Sequence, residues 1–537
     1  LLLLPVFSEI ARLKPVFKLY SMKYQKFLSL AISLVSFSCI MAQPGSGMAI
    51  IPQHLSTDSV ANFAAHIRPS ERQAAWQELE FTVFFHFGIN TFADLEWGKK
   101  EVKAGLFNPT QLDARQWIRT AKETGAKLAV LVAKHHDGFC NWPSKYTDYS
   151  VKNTAWREGK GDLVKEVSEA CKEYGIKFGV YVSPWDIHSN YYGTEQYNTY
   201  FENLLTEVLT QYGEVDEVWF DGACGEGPNG KKQVYDWIAY YNMVRKLQPK
   251  AVIAVMGPDV RWVGTESGYG RETEWSVVPL SLSLPENIAA GSQQDAGNGV
   301  FLPPGDMMKE DLGSRDKIKD ASHLVWYPSE VDVSIRPGWF YHEHDDSLVK
   351  SPDKLVDIYF SSVGRNSVLL LNLPPDKRGL IHENDVKSLR GMRAILDSAF
   401  NSNLAAHAAI IPANGNPKSN PLNMIDNKAG TYWTGKKGST QASFIVELRQ
   451  ASSFNCLGIS EYFRNGQRVE SFVAEIPEGK SWKVIASGTT IGFKRLLRFP
   501  SVFSKLVRIR ITASRDNPEI SEIGLYSLPE RLVPGAR

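Results

Sequence analysis

Carboxylates, histidines and aromatic residues recur at the ends of apolar runs in this sequence. The sharpest case is Val218-Trp219-Phe220-Asp221-Gly222-Ala223, a short β-rich segment that stops on an aspartate followed by two small residues. After a later apolar run, Arg261-Trp262 lead into Thr265-Glu266-Ser267-Gly268. Two carboxylates supplied by different strands are what hydrolysis of a glycosidic bond needs: one attacks or stabilises the anomeric carbon, the other protonates the leaving oxygen and then activates water. Asp221 and Glu266 fit that pair by position, and Glu272 and Glu274 compete for the acid's place. Many barrels hold two acids, so spacing alone leaves other reactions open. Around this pair stand His86, Glu96 beside Trp97, His135-His136, Asp137 before Gly138, Tyr181 and Asp186. A lone strand-end histidine is more often structural than catalytic, Asp137 reads as a turn residue, and Asp186 reads as a solvated loop charge. Neighbours on an extended chain point opposite ways, so His135 and His136 are not expected to share a metal ion. Neutral imidazoles suit hydrogen bonds to hydroxyl groups better.

The elements that must position these residues alternate between strand-like and helix-like patterns over residues 43–400, the signature of βα units on a parallel sheet. Strands are expected at 82–86, 128–133, 178–183, 217–221, 251–256, 324–327 and 367–372, with a weaker one near 275–280. Amphipathic stretches lie between them, and Gly175 stands where a helix C-cap belongs. Seven or eight such units predict an α/β fold, a TIM-like (β/α)8 barrel, whose chemistry sits at the C-terminal rim of the strands. An open doubly wound sheet is the alternative, but no glycine-rich dinucleotide loop follows any strand. From residue 401 to 537 the pattern changes to short strands and turns at 442–448, 456–461, 471–475, 482–486, 506–512 and 520–526. That is the pattern of an antiparallel β-sandwich.

With 537 residues the chain exceeds one core. Its 60 basic and 59 acidic side chains leave a net charge of +1, which argues against nucleic acid as a partner. The 14 Trp, 21 Tyr and 26 Phe tilt weakly towards carbohydrate, although an aromatic core accounts for most of them. Five dispersed cysteines give neither a disulfide framework nor metal-ligand spacing. Residues 1–42 read as a leader: a basic start at Met22-Lys23, an apolar run over 27–38 and a cleavage site after Ala42. Met22 is the expected start, and lipidation at Cys39 is disfavoured by Ser36-Phe37-Ser38 before it. These features predict export to the periplasm or beyond, with no membrane span.

Taken together, His86-Phe87-Gly88, Glu96-Trp97, Lys134-His135-His136-Asp137-Gly138-Phe139, Gly179-Val180-Tyr181, Trp219-Phe220-Asp221-Gly222 and Arg261-Trp262 resemble glycoside hydrolase family 29, the retaining α-L-fucosidases. The resemblance covers nearly all of residues 43–400. It implies that Asp221 is the nucleophile and Glu266 the acid/base. It implies further that Trp219 lines the fucose pocket, that His86, Glu96, His135, His136 and Tyr181 hold fucose hydroxyls, and that Arg261 lies near the reacting centre. No metal or cofactor is implied. The segments 87–92 and Glu266-Ser267-Gly268 look most like the subfamily acting on α-1,3 and α-1,4 fucosyl branches, which makes Lewis-type glycans the expected substrates. Trp339-Phe340-Tyr341 could wall the fucose methyl.

The motifs over 423–428 and 431–434, with the closing run 519–526, resemble the discoidin, or coagulation factor 5/8 type C, family. Many bacterial members bind galactose-type sugars and some hold a structural calcium; in this chain Trp433 reads as core and Asp426 as a turn cap. Two other readings of the whole chain stand beside the leading one: an inactive fucose-binding protein, and a barrel glycosidase for another sugar.

Overall fold

Strands form here where β-branched and aromatic residues run together, and helices where the apolar period lengthens and a cap is in place. The computed structural model describes residues 47–295, 301–302 and 306–534; the leader features lie outside them. Eight parallel strands form one sheet: β1 (Phe81–Phe85), β2 (Leu128–Lys134), β3 (Lys177–Val182), β4 (Glu217–Phe220), β5 (Val252–Val255), β6 (Arg261–Trp262), β7 (Ser329–Ser334) and β8 (Val368–Asn372). Hydrogen-bonded neighbours run in the order β5-β4-β3-β2-β1-β8-β7-β6. A parallel bridge between Ala254 and Val260 joins the two ends, closing the ring. Val255 turns the chain back at that point with φ 67°, a rare conformation for a β-branched residue.

The alternation of strand side chains sorts two cores. Phe84, Val130, Val132, Tyr181, Trp219, Val252, Ala254 and Leu370 pack together inside the ring. Val83, Phe85, Leu131, Val180, Val218, Phe220 and Leu371 belong to the outer core with the helices. Those helices include α1 (Ala114–Thr124), α2 (Leu163–Tyr174), α3 (Gln196–Gln211) and α4 (Trp237–Leu247). Asp113 and Asp162 cap the first two by accepting backbone N–H groups of the first turn, and Gly125 and Gly175 end them in the left-handed conformation.

Six of the expected barrel strands are present at nearly the expected positions, and two are not barrel strands at all. His323–Trp326 and Val277–Pro279 instead form a separate antiparallel sheet with Met48–Ile50. The ring is completed by β6 and β7.

The C-terminal region is a seven-stranded antiparallel sheet: β9 (Ala409–Pro412), β10 (Trp433–Thr434), β11 (Ala442–Glu461), β12 (Val469–Glu478), β13 (Ser481–Gly488), β14 (Arg495–Ser514) and β15 (Glu519–Tyr526). Several expected strands merge into the two 20-residue strands β11 and β14, whose register shifts between Glu447 and Ser452 and again between Phe454 and Cys456. The first half of β11 pairs with β9 and the second with β15, so one long strand serves both halves of the sheet. Trp433, Phe444, Leu457, Phe472, Ile509 and Ile523 fill its core. Asp426 accepts from Lys428 N and Thr431 Oγ1, the turn cap that its position suggests. Gly47 to the C-terminus forms one compact unit. No helix among the described residues is long and apolar enough to cross a membrane.

Candidate active site

The C-terminal ends of the barrel strands converge on a cavity of about 540 Å³. Asp221 follows β4 directly and its carboxyl is fixed on both sides: Ala223 N donates to Oδ1 at 2.7 Å and Tyr181 Oη donates to Oδ2 at 3.0 Å. The small residues after Asp221 allow that backbone turn.

Glu266, on the segment after β6, lines the same cavity. It is exposed at the mouth, yet protein crowds its carboxyl. That desolvation, with the charges of Asp221 and Glu96, raises its pKa despite hydrogen bonds that act the other way. The competing acids stand elsewhere. Glu274 is buried in an ion pair with Arg261, and Glu272 is held through its backbone carbonyl by Arg495 and Thr489. Arg261 therefore departs from its expected place. Its guanidinium is committed to Glu274 and does not line the cavity.

Three imidazoles line the cavity, each from a strand end. Asn372, at the end of β8, donates its amide N–H groups to Ser334 Oγ and Trp339 O, which leaves its Oδ1 as an acceptor. His86 Nδ1 sits 2.8 Å from that oxygen and must carry the proton, leaving Nε2 as an acceptor. His136 Nδ1 lies 2.7 Å from Ser183 Oγ, whose own proton goes to Trp185 O, so here too Nδ1 is the donor. His136 Nε2 then faces Asp221 Oδ2 across 3.7 Å, two acceptors with room for a hydroxyl to serve one of them. Burial pushes His86 and His136 down to about 4 and His135 well below its ordinary range. Burial thus favours the neutral form of all three at physiological pH, in which each ring has one N–H to donate and one nitrogen to accept.

His135 and His136 do not point to opposite faces. β2 ends at Lys134 with a register shift after Val132, and the two rings lie 4.2 Å apart, both on the cavity. The turn after them is specified by Asp137, whose Oδ1 accepts Phe139 N at 2.6 Å. Gly138 follows with φ +87°; a Cβ there would also run into the Asp186 carboxylate. Asp186 itself is buried and pairs with Lys134 Nζ at 3.3 Å, so it is no solvated loop charge.

Glu96 accepts from Trp339 N, Phe340 N and His342 Nε2. His342 also contacts Asp94, and the hydrogen bond to Glu96 leads in raising its pKa to about 9. Asp94, His342 and His344 bring possible ligand atoms within 4.8 Å of one another, but both ring nitrogens of His342 already face carboxylates. Trp97 and Trp339 complete the aromatic walls. Phe340 packs edge-on against His86 and His135, and Tyr341 turns away to lie under Arg336.

Sequence reasoning missed the inward face of β7. Glu330, Asp332 and Ser334 alternate along it. Glu330 Oε1 accepts Trp219 Nε1 at 2.7 Å, Asp332 Oδ1 accepts Trp262 Nε1 at 2.6 Å, and Ser334 accepts from Asn372. One strand thus anchors the supports of Trp219, Trp262 and His86. The only signal for it was period-2 alternation in Ser-Glu-Val-Asp-Val-Ser, with acids where apolar residues are usual.

Comparisons with known proteins agree with this geometry. The family model described as alpha-L-fucosidase matches residues 52–269 and 282–399. Alpha-L-fucosidase 1 of Arabidopsis thaliana is 41% identical over 467 residues, covering 85% of this chain and 87% of its own. A crystal structure from Bacteroides ovatus shares 47% identity with a TM-score of 0.77, over 90% of this chain and 78% of that one. A Ruminococcus gnavus family 29 fucosidase solved with fucose shares 29% identity with a TM-score of 0.74, over 87% and 96%. A closed parallel barrel, carboxyl groups facing one cavity and neutral histidines around them accord with these matches: the chain belongs to the α-L-fucosidases of glycoside hydrolase family 29, hydrolases that work without a cofactor.

Proposed function

We propose that the protein hydrolyses α-L-fucosides with retention, through a fucosyl–Asp221 intermediate. The observation that carries this reading is that Asp221 and Glu266 reach one cavity in different surroundings. Asp221 is oriented by two donors, and Glu266 is pushed towards its protonated form. Asp221 attacks the anomeric carbon while Glu266 gives its proton to the departing oxygen. Glu266 then takes a proton from the water that releases fucose. His86, His135, His136, Tyr181 and Glu96 hold sugar hydroxyls, and Trp219 forms part of the wall.

The substrates are α-1,3 and α-1,4 fucosyl branches of Lewis type, a reading supported by the motifs over 87–92 and 266–268. The basic and apolar pattern at the start of the chain supports export. The antiparallel sheet with its 423–434 and 519–526 motifs supports a discoidin-like accessory domain.

Azide rescue of two variants tests the assignment on an aryl α-L-fucoside. D221G should lose at least about a thousandfold in kcat and give β-fucosyl azide, whereas E266A should give the α-azide. Rescue at Glu272 or Glu274 in place of Glu266 would move the acid/base role there. Fucose release from a Lewis trisaccharide should exceed that from 2′-fucosyllactose; the reverse order sinks the linkage assignment.

A further inference from the structure

Besides Asp221, Glu266 and Glu96, a fourth carboxyl lines the cavity, and no step of the double displacement uses it. Asp332 stands near the end of β7 on its inward face, between Glu330 and Ser334, and is 2% exposed. One of its oxygens is occupied by Trp262 Nε1 at 2.6 Å. Its partners explain the first oxygen and leave the second without an assigned role. Among the described residues it forms no ion pair, although acids buried to this degree are normally paired. Its acidic neighbours include Glu266, Asp221 and Glu330. Burial, with Glu266 and Asp221, pushes its pKa well above the ordinary carboxylate value, which favours the acid form with an O–H to donate.

We propose that Asp332 is a sugar-binding residue of this site: its neutral carboxyl group donates a hydrogen bond to one hydroxyl of the bound fucose and at the same time fixes the indole of Trp262. The geometry suits both tasks. Trp262 is half-buried on the cavity wall and pairs in register with Glu330, so its Nε1 reaches up the strand to Asp332. Each of the three neutral imidazoles offers an acceptor or packs its ring on the cavity, and Tyr181 spends its proton on Asp221. The site is therefore well supplied with acceptors for the sugar's O–H groups. A donor is needed for a hydroxyl oxygen that has already given its proton to one of them, and Asp332 supplies it. No bond is made or broken by Asp332, and its proton stays on its own oxygen.

This inference rests on the fucosidase reading, and the test separates the two. The full-length protein and its D332A and D332N variants are assayed on 4-nitrophenyl α-L-fucoside and on its 2-, 3- and 4-deoxy analogues. Thermal melts establish folding of each variant. D332A should lose about tenfold or more in kcat/KM on the parent substrate. D332N should recover most of that loss, because the amide keeps an acceptor for Trp262 and an N–H for the sugar. On one deoxy analogue, and only one, the loss caused by D332A should be clearly smaller than on the parent, since the hydroxyl it binds is already gone and only the effect through Trp262 remains. An equal loss on every analogue would assign the effect to Trp262 alone and overturn the contact. Undiminished kcat/KM in D332A overturns it as well. No turnover of the parent by the wild-type protein would instead sink the fucosidase reading, and this one with it.

Discussion

In the proposed double displacement Glu266 is the residue on which both steps turn, and its surroundings give that role a measurable signature. Protein on several sides desolvates the carboxyl, and the charges of Asp221 and Glu96 add to that effect. A glutamate whose pKa is raised keeps its proton to higher pH than an ordinary one. Bond cleavage that needs this proton therefore persists above the usual carboxylate range and is lost as pH climbs through the raised value. The pH profile of kcat/KM for an oligosaccharide should show an alkaline limb set by Glu266. E266A with azide on an aryl fucoside should lack that limb. If the limb persists unchanged in E266A, another group supplies the proton. Burial pushes the pKa of His86 and His136 down to about 4 and that of His135 lower than usual, so these three do not set it; His342, raised to about 9 beside Glu96, would give a limb that persists in E266A.

At the scale of elements, β7 is the strand that reads least like what it is. β1 to β5 and β8 are apolar runs, all but β5 ending in or followed at once by polar or aromatic residues, and such runs are legible because burial on both faces demands them. Ser-Glu-Val-Asp-Val-Ser has an outward face of valines and an inward face of acids, the reverse of a packed barrel interior. The neighbouring His323–Trp326 run looks more like a barrel strand, yet it serves a small sheet outside the ring. Arg261 was misplaced for a related reason. A motif shows which residue is present, but only the fold shows that Glu274 lies closer to its guanidinium than the cavity does. The inward acids of β7 have an energetic consequence. Glu330 and Glu217 are both fully buried, and desolvation leads in raising both, Glu217 to about 7. Such groups contribute most below the ordinary carboxylate range. As pH rises, the unfolded chain ionises first and stability is lost until the folded values are passed. E330Q should therefore match the wild type near pH 4 and exceed it by about 1–3 kcal/mol at pH 8 in urea melts. Its amide oxygen still accepts Trp219 Nε1, so KM for an aryl fucoside should hold. A variant less stable than the wild type at both pH values would show that desolvation of Glu330 does not set its contribution to stability.

Across the whole molecule, the C-terminal sheet and the barrel are tied at several points. Lys494 pairs with Glu80 at 2.6 Å, Arg464 with Glu71 and Glu78, and Arg315 with Glu470. The most consequential ties reach the segment that follows Glu266. Arg495 and Thr489 donate to Glu272 O, Thr490 Oγ1 accepts Glu274 N, and Gln467 both donates to Glu274 O and accepts Ser276 N. The loop that presents Glu266, the proposed acid/base, is thus braced from the sheet, which gives that sheet a mechanical role whether or not it binds sugar. Gln467 is 1% exposed, so Q467A would leave the buried Ser276 N–H without its partner and Glu274 O with the Asn366 amide alone, a loss of about 1–2 kcal/mol. Its effect on turnover should depend on the leaving group. A 2,4-dinitrophenyl fucoside departs with little help from a proton, whereas a sugar alcohol needs the proton delivered in line. If bracing positions Glu266, Q467A should lower kcat several-fold on a fucosylated oligosaccharide and hardly at all on the dinitrophenyl substrate. The same fractional loss on both would mean that the sheet only stabilises the fold.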